Sequence, residues 1–214
     1  ARQFDTYIGS NPDLEAEESE TFSLGVEYAF FDTWEASINY FDVTLTNSID
    51  NITAQDQLNV DFNSQGGNPA VQRDANGLVV EISAGYQNGG TDFNYNGIDY
   101  QLGGVIETDF GVFRLDLKAS NYLTYEYELT YGSGELGDAV GTLGSPEWRS
   151  TAFVSWNLDK WFANLSADYI GESEERVGDE KFDSWHTLNA SLGYSLDALG
   201  TIRVGANNLT DEDP

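Results

Sequence analysis

The chain has 214 residues, enough for one large domain or part of a bigger one, and 9 basic against 37 acidic residues give a formal net charge of −28. Such a balance excludes nucleic-acid binding, because phosphate contacts need clustered Lys and Arg. Zero cysteines exclude disulfides, zinc–thiolate sites and thiol catalysis.

Eight long strands are expected, in chain order Ser19–Phe30, Trp34–Ile49, Phe93–Glu107, Val112–Leu129, Trp148–Asn157, Trp161–Ile170, Ser184–Ser195 and Thr201–Leu209. The fourth shows the pattern best. Phe113, Leu115, Leu117, Ala119, Leu123, Tyr125, Tyr127 and Leu129 share one parity, while Arg114, Asp116, Lys118, Ser120, Thr124, Glu126 and Glu128 share the other. Strand side chains alternate between faces, so this segment has one apolar and one charged face. A strand crossing a bilayer needs about 9–11 residues with lipid on one side and water on the other. No run of about 18 apolar residues exists to form a membrane helix. A mean hydropathy of −0.42 fits a barrel, since half of each spanning strand is polar. In the second strand Trp34, Ala36, Ile38 and Tyr40 share a parity, but Phe41, Val43 and Leu45 take the other; a bulge is the expected cause.

The connections alternate in length. Phe31–Thr33, Asp109–Gly111, Leu158–Lys160 and Asp197–Gly200 are short turns, whereas 47–88, 130–145 and 171–183 are long and polar. Val79–Tyr86 reads as a strand inside the first long loop. Short turns at one end and long loops at the other describe an outer-membrane barrel, with turns in the periplasm and loops outside. The fold class is therefore all-β, an antiparallel up-and-down transmembrane barrel segment of about eight strands. Trp34, Trp156 and Trp161 flank short turns, where a periplasmic aromatic belt belongs; Trp148, Trp185, Tyr122, Tyr125 and Tyr127 lie at the loop ends, where the outer belt belongs.

Several stretches resemble the C-terminal barrel of TonB-dependent outer-membrane receptors. Asn11-Pro12-Asp13-Leu14-Glu15-Ala16-Glu17 is similar to that family's Asn-Pro-x-Leu-x-Pro-Glu loop, with Ala16 in place of proline, and leads into a family-like strand at Phe22–Tyr28. Gly97-Ile98-Asp99, Pro146-Glu147-Trp148-Arg149 and Tyr169-Ile170-Gly171 resemble further elements in the family's order. Asn207-Asn208-Leu209-Thr210-Asp211-Glu212-Asp213-Pro214 is close to its Asn-Asn-Leu-Phe-Asp-x-x-Pro, with Thr210 where Phe is usual. Residues 1–214 would then be the C-terminal portion of a 22-stranded barrel. The resemblance implies one more strand after Pro214 and a plug with a TonB-box before Ala1. Also implied are bacterial outer-membrane localisation, contact with outer-membrane lipid and lipopolysaccharide, and coupling to the TonB–ExbB–ExbD complex. The activity implied is active transport of a scarce nutrient such as a siderophore, cobalamin or oligosaccharide, with no catalysis and no cofactor. A soluble secreted all-β lectin-like module is the alternative. Eight strands taken from such a wall keep two edges, so the barrel is expected to continue in residues outside this chain.

Other chemistry is thin. Gly132-Ser133-Gly134-Glu135-Leu136-Gly137 matches G-x-G-x-x-G, but Asp138, Gly141, Gly144 and Pro146 follow it, so no phosphate-holding helix can start there. Asp183, Ser184 and His186 offer triad residue types from a single segment, without an oxyanion hole. Asn164 and Asn189 head Asn-x-Ser/Thr matches but fall inside strands. Two loop sets carry the site expectations. Gln55, Asp56, Gln57, Asn59, Asp61 and Asn63, with Tyr7 and Tyr131, offer hydrogen bonds and ring faces to a polar nutrient such as a sugar. Glu172, Glu174, Glu175, Asp179 and Glu180 form an oxygen-rich set of the kind calcium takes, although a solvated acidic face is the simpler reading.

Overall fold

The computed structural model describes residues 5–8, 11–88, 93–128, 131–132, 135–176 and 178–213. In chain order the elements are β1 (Asp5–Ile8), β2 (Glu18–Phe30), β3 (Trp34–Thr46), β4 (Ile49–Ile52), α1 (Ala54–Asn63), β5 (Val71–Arg73), β6 (Val79–Asn88), β7 (Phe93–Thr108) and β8 (Gly111–Glu128). Then come β9 (Leu136–Asp138), β10 (Trp148–Leu158), β11 (Trp161–Ile170), β12 (Ser173–Glu174), β13 (Lys181–Phe182), β14 (Trp185–Ser195), a 3₁₀ turn at Asp197–Leu199 and β15 (Thr201–Ala206). The eight expected long strands are all present, their ends moved by at most a few residues. Asn47 at φ 57° closes β3, and Asn208 at φ 50° lies just past β15. Asn and Asp tolerate this left-handed conformation better than other side chains. Leu129, Ser133, Gly134 and Pro214 lie outside the described residues.

The long strands form one meander, in the order β15-β14-β11-β10-β8-β7-β3-β2, with β9 added to β8. Among the described residues β2 and β15 are its two edges and do not pair with each other, which makes the sheet an open segment of wall. The chain divides into two compact units: Ala1–Thr21, Val43–Tyr95 and Tyr125–Asp138 make one, and Phe22–Asp42, Asn96–Thr124 and Ala139–Pro214 the other. The second unit holds most of the wall.

Register settles which side chains share a face. Leu115, Leu117 and Phe113 pair with Val154, Ala152 and Trp156, while Arg114, Asp116 and Lys118 pair with Ser155, Phe153 and Thr151. Leu165 and Ala167 continue the first face opposite Val154 and Ala152; Asn164, Ser166 and Asp168 continue the second. On β14 and β15 the apolar face runs through Leu188, Ala190, Leu192 and Val204. Apolar residues thus form a continuous outward band on which Leu24 and Val26 are 65% and 70% exposed. Among the described residues the buried apolar side chains are few. The wall is stabilised by its hydrogen-bond ladder and by what covers this band, in place of an interior core.

Three details correct the sequence reading. Phe41 shares the Gly97 position, where a Cβ would meet its ring at 2.7 Å, just as Glu35 flanks Gly103 and the Trp34 ring covers Gly104. These positions step in opposite directions by equal amounts, so β3 and β7 pair here without the expected bulge. Phe41 stays on the polar face and packs edge-on against Tyr122, ring centroids 6.2 Å apart. The second correction concerns the outer belt: Trp185 pairs with Ile170 on the Asp168 side, and Tyr122 has the parity of Lys118. Both turn inward, and Trp148, Tyr125 and Tyr127 keep the outward parity. The third is that the first long loop, read as polar connection apart from Val79–Tyr86, contains α1 and β4–β6.

Gly111 shows how tightly one turn is built. At φ 113°, a Cβ there would run into the Asn157 carbonyl and approach Trp156 Nε1 at 2.8 Å. Backbone cannot move aside as a side-chain tip would. Gly111→Ala is expected to destabilise the barrel by about 1–3 kcal/mol, combining left-handed strain with overpacking. Thermal unfolding of the intact barrel in detergent measures this; an unchanged midpoint would show that the turn relaxes freely.

Candidate functional site

In the first unit, α1 begins at a capping box. Thr53 Oγ1 accepts from the Asp56 amide at 3.2 Å, and the Asp56 carboxylate accepts from the Thr53 amide at 2.9 Å. One face of the helix is polar and buried: Gln57 is 2% exposed and Asp61 only 1%. Gln57 Oε1 accepts from Asn68 Nδ2 at 2.8 Å, and its own Nε2 donates to Gln87 at 3.1 Å. Asp61 pairs with Arg73 and accepts from the Asn68 amide at 3.3 Å. Burying a charge demands such partners. β6 anchors this set, pairing in parallel with β1 and antiparallel with β4 and β5. The segment after Asn11 is laced to the same strand: Asn88 donates to Glu15 O at 2.9 Å, and its side-chain oxygen accepts from the Glu15 amide at 2.9 Å.

Among the residues expected to meet a ligand, Gln57 and Asp61 are thus committed to the loop's interior and Asp56 to its cap. Gln55 and Asn59 bond each other at 3.0 Å on the outer face, with Asn63 exposed at the helix end. Tyr7 is exposed on β1. Tyr131 is drawn in toward α1, where Gly132 at φ 70° comes so close to Val60 that a Cβ would lie 2.6 Å away. Burial, then the carboxylates of Glu128, Asp50 and Asp56, hold the Tyr131 phenol above the ordinary tyrosine range. Phe62, 84% exposed on α1, and the paired Arg73 were not anticipated. The capping box Thr53-x-x-Asp56 was the signal that marks this helix.

The second unit carries the other loops. β12 and β13 make a small hairpin, with Lys181 Nζ 3.7 Å from Glu174. It docks on residues 139–146 through Leu143 N to Glu174 O and Glu174 N to Gly141 O, both 2.9 Å. A hollow of about 430 Å³ opens there between Glu147, Trp148, Glu172, Glu174, Lys181 and Asp183. Glu175 and Glu180 meet through their backbones, at 2.9 Å. Among the described residues, no three His, Asp or Glu side chains converge in a set that could hold a metal ion. Ser184 and His186 lie at the start of β14, and His186 Nδ1 is 3.9 Å from Glu212, not from a nucleophile. The wall's polar face adds Glu27, Glu35, Gln101, Asp116 and Lys118 around a small recess, with Lys118 3.8 Å from Asp116.

An open meander with one apolar and one charged face, short turns at one end and folded loops at the other, fits a membrane barrel wall. Comparison with known proteins agrees. Residues 1–209 match the family described as TonB dependent receptor-like, beta-barrel. No curated protein matches the sequence. Among solved structures, a ferric enterobactin receptor variant from Pseudomonas aeruginosa in complex with enterobactin is similar, with 16% identity over 96% of this chain and 28% of that one (TM-score 0.64). The siderophore receptor PirA from Acinetobacter baumannii is 18% identical over 95% of this chain and 29% of that one, TM-score 0.64. The ferripyoverdine receptor of the outer membrane of P. aeruginosa is 18% identical over 92% and 24%, TM-score 0.60. The chain spans less than a third of each of these receptors. It belongs to the TonB-dependent receptor-like β-barrel family, as a segment of outer-membrane barrel wall with its attached loops.

Proposed function

We propose that this chain supplies part of the wall and of the ligand-facing extracellular loops of a receptor that imports a scarce nutrient. In this reading the intact receptor binds its ligand outside and admits it when TonB, energised through ExbB–ExbD, acts on a plug encoded elsewhere in the protein. A siderophore-type iron chelate is the favoured ligand class, because the similar structures are receptors named for enterobactin, ferripyoverdine and siderophores. Exposed Gln55, Asn63, Tyr7 and Phe62, with half-buried Asn59, are the groups of the first loop unit that would meet it.

The observation that carries the reading is the two-faced sheet. Its outward band exposes Phe22, Leu24, Val26 and Tyr28, each at least 59%. A soluble lectin-like module would have to bury such a band. The test is iron-limited growth and uptake of a panel of radiolabelled ferric siderophores, in cells with and without the gene. Loss of uptake of at least one chelate, restored by the wild-type gene only when TonB is present, is expected. Retention of all iron uptake with loss of cobalamin or oligosaccharide uptake would replace the ligand class. An unaltered uptake profile for every nutrient would overturn the transport reading.

A further inference from the structure

Three short turns of the second unit carry a large apolar side chain at the tip. Phe31 is 82% exposed between β2 and β3, Phe110 78% between β7 and β8, and Leu199 88% between β14 and β15. All three lie on one rim, because the meander is antiparallel and these turns join its strands at the same end. Turns facing water normally carry Gly, Asn or Asp. Phe31 departs furthest, since it and Asp32 both hold left-handed backbone, at φ 49° and 58°. Two successive positive φ values are the signature of a turn that favours Asn-Gly, and for a bulky aromatic this conformation is an outlier. Strain kept at a position where the ring touches its neighbour Phe30 yet stays 82% exposed points to a role for the ring itself.

The tips continue an aromatic layer. Phe31 packs edge-on against Phe30 at 5.4 Å, and Phe30 stacks on Trp34 at 6.1 Å and on Tyr28 at 5.8 Å. Trp156 Nε1 donates to the Phe110 carbonyl at 2.7 Å. Trp161 meets Tyr194 at 4.7 Å on the neighbouring strands. On β10 and β11 the apolar band above this layer is short, whereas on β8 the outward apolar positions run on from Phe113 to Leu123. Trp148 to Trp156 on β10, and Trp161 to Tyr169 on β11, each span about 26 Å along the strand at ~3.3 Å per residue. Tilted by roughly 40°, those strands put their ring belts about 20 Å apart along the membrane normal, against an apolar band of about 25 Å in membrane barrels.

We propose that the turn tips extend the apolar band at this rim: Phe31, Phe110 and Leu199 insert into the periplasmic leaflet of the outer membrane, at the boundary between phospholipid headgroups and acyl chains. The polar groups beside them suit that depth. Lys160 and Asp197 neutralise each other as an ion pair across adjacent turns, and Asp32 and Asp109 remain able to meet the ammonium of a phosphatidylethanolamine headgroup. The inference rests on the outer-membrane location and does not depend on which nutrient the receptor carries.

Spin labels on the intact receptor test it, in vesicles of phosphatidylethanolamine and phosphatidylglycerol. Phe31→Cys, Phe110→Cys and Leu199→Cys place the label on exposed tips; Leu165→Cys on the lipid face and Asn63→Cys in the outer loop are the references. Collision with oxygen at the three tips is expected to be several-fold higher, and with a water-soluble nickel chelate several-fold lower, than at residue 63. Nickel accessibility equal to that at residue 63 would overturn the proposal and mark the tips as a surface for a periplasmic protein. Shielding from both reagents would overturn it too, since it would mean that the tips are covered by protein.

Discussion

Leu117→Arg should abolish or severely retard insertion of the intact barrel, whereas Lys118→Ala one position along should be nearly silent. Leu117 lies mid-strand on the apolar face, paired with Ala152, while Lys118 pairs with Thr151 on the polar face. An arginine facing hydrocarbon near the midplane costs about 2–4 kcal/mol, and less toward the interfaces as the side chain snorkels. Lys118 is 60% exposed and near Asp116, so its removal sacrifices only a screened surface pair worth about 0–1 kcal/mol. Folding from urea into detergent or short-chain lipid, followed by the mobility of the folded band, separates the two. Equal effects, or a worse outcome at residue 118, would reverse the assigned faces of this part of the wall, because register links β8, β10, β11, β14 and β15.

The second large effect is expected at Arg73. Its guanidinium is the charged partner of Asp61, whose side chain is 2% exposed against 38% for Arg73. Truncating Arg73 to alanine strands a buried carboxylate. Breaking a fully buried pair costs about 3–5 kcal/mol, and Arg73's partial exposure reduces this to about 2 kcal/mol. Asp61→Asn should be milder: the amide oxygen still accepts from the Asn68 amide, and Arg73 keeps its 2.9 Å bond to the Gly77 carbonyl. Hydrogen exchange across 54–73 in the intact receptor would read the difference as local opening, faster in Arg73→Ala than in Asp61→Asn. The reverse order would mean that the buried carboxylate finds another partner at little cost.

The contrast between these two regions explains what was legible in the sequence. β8, β10 and β11 announce themselves because lipid on one side and water on the other impose a strict period of two, and the turns between them carry Gly, Asn or Asp. α1 obeys no such rule. It faces inward with Gln57 and Asp61 and outward with Phe62, the reverse of the pattern that identifies an amphipathic helix. Its acidic and amide residues therefore read as loop and as a ligand-binding run, although two of them form the interior. Phe41 misled for a related reason: an apolar residue on the polar face mimics a register slip, when in fact it packs on Gly97 and Tyr122 within an unbroken pairing. The chain's acidity was plain in composition, but composition does not say which carboxylates converge.

The polar interior of the first loop unit has an evolutionary corollary. Gln57, Asp61, Asn68, Arg73 and Gln87 hold the loop's shape by directional bonds, so a change in any one leaves another unmatched and selection should keep them fixed together. Gln55, Asn59, Asn63 and Phe62 project from the same helix without entering that set. Asn63 and Phe62 are free to vary one at a time, and Gln55 and Asn59 as a bonded pair. A receptor built this way can drift toward a new ligand by exchanging its outer residues while its loop keeps its shape.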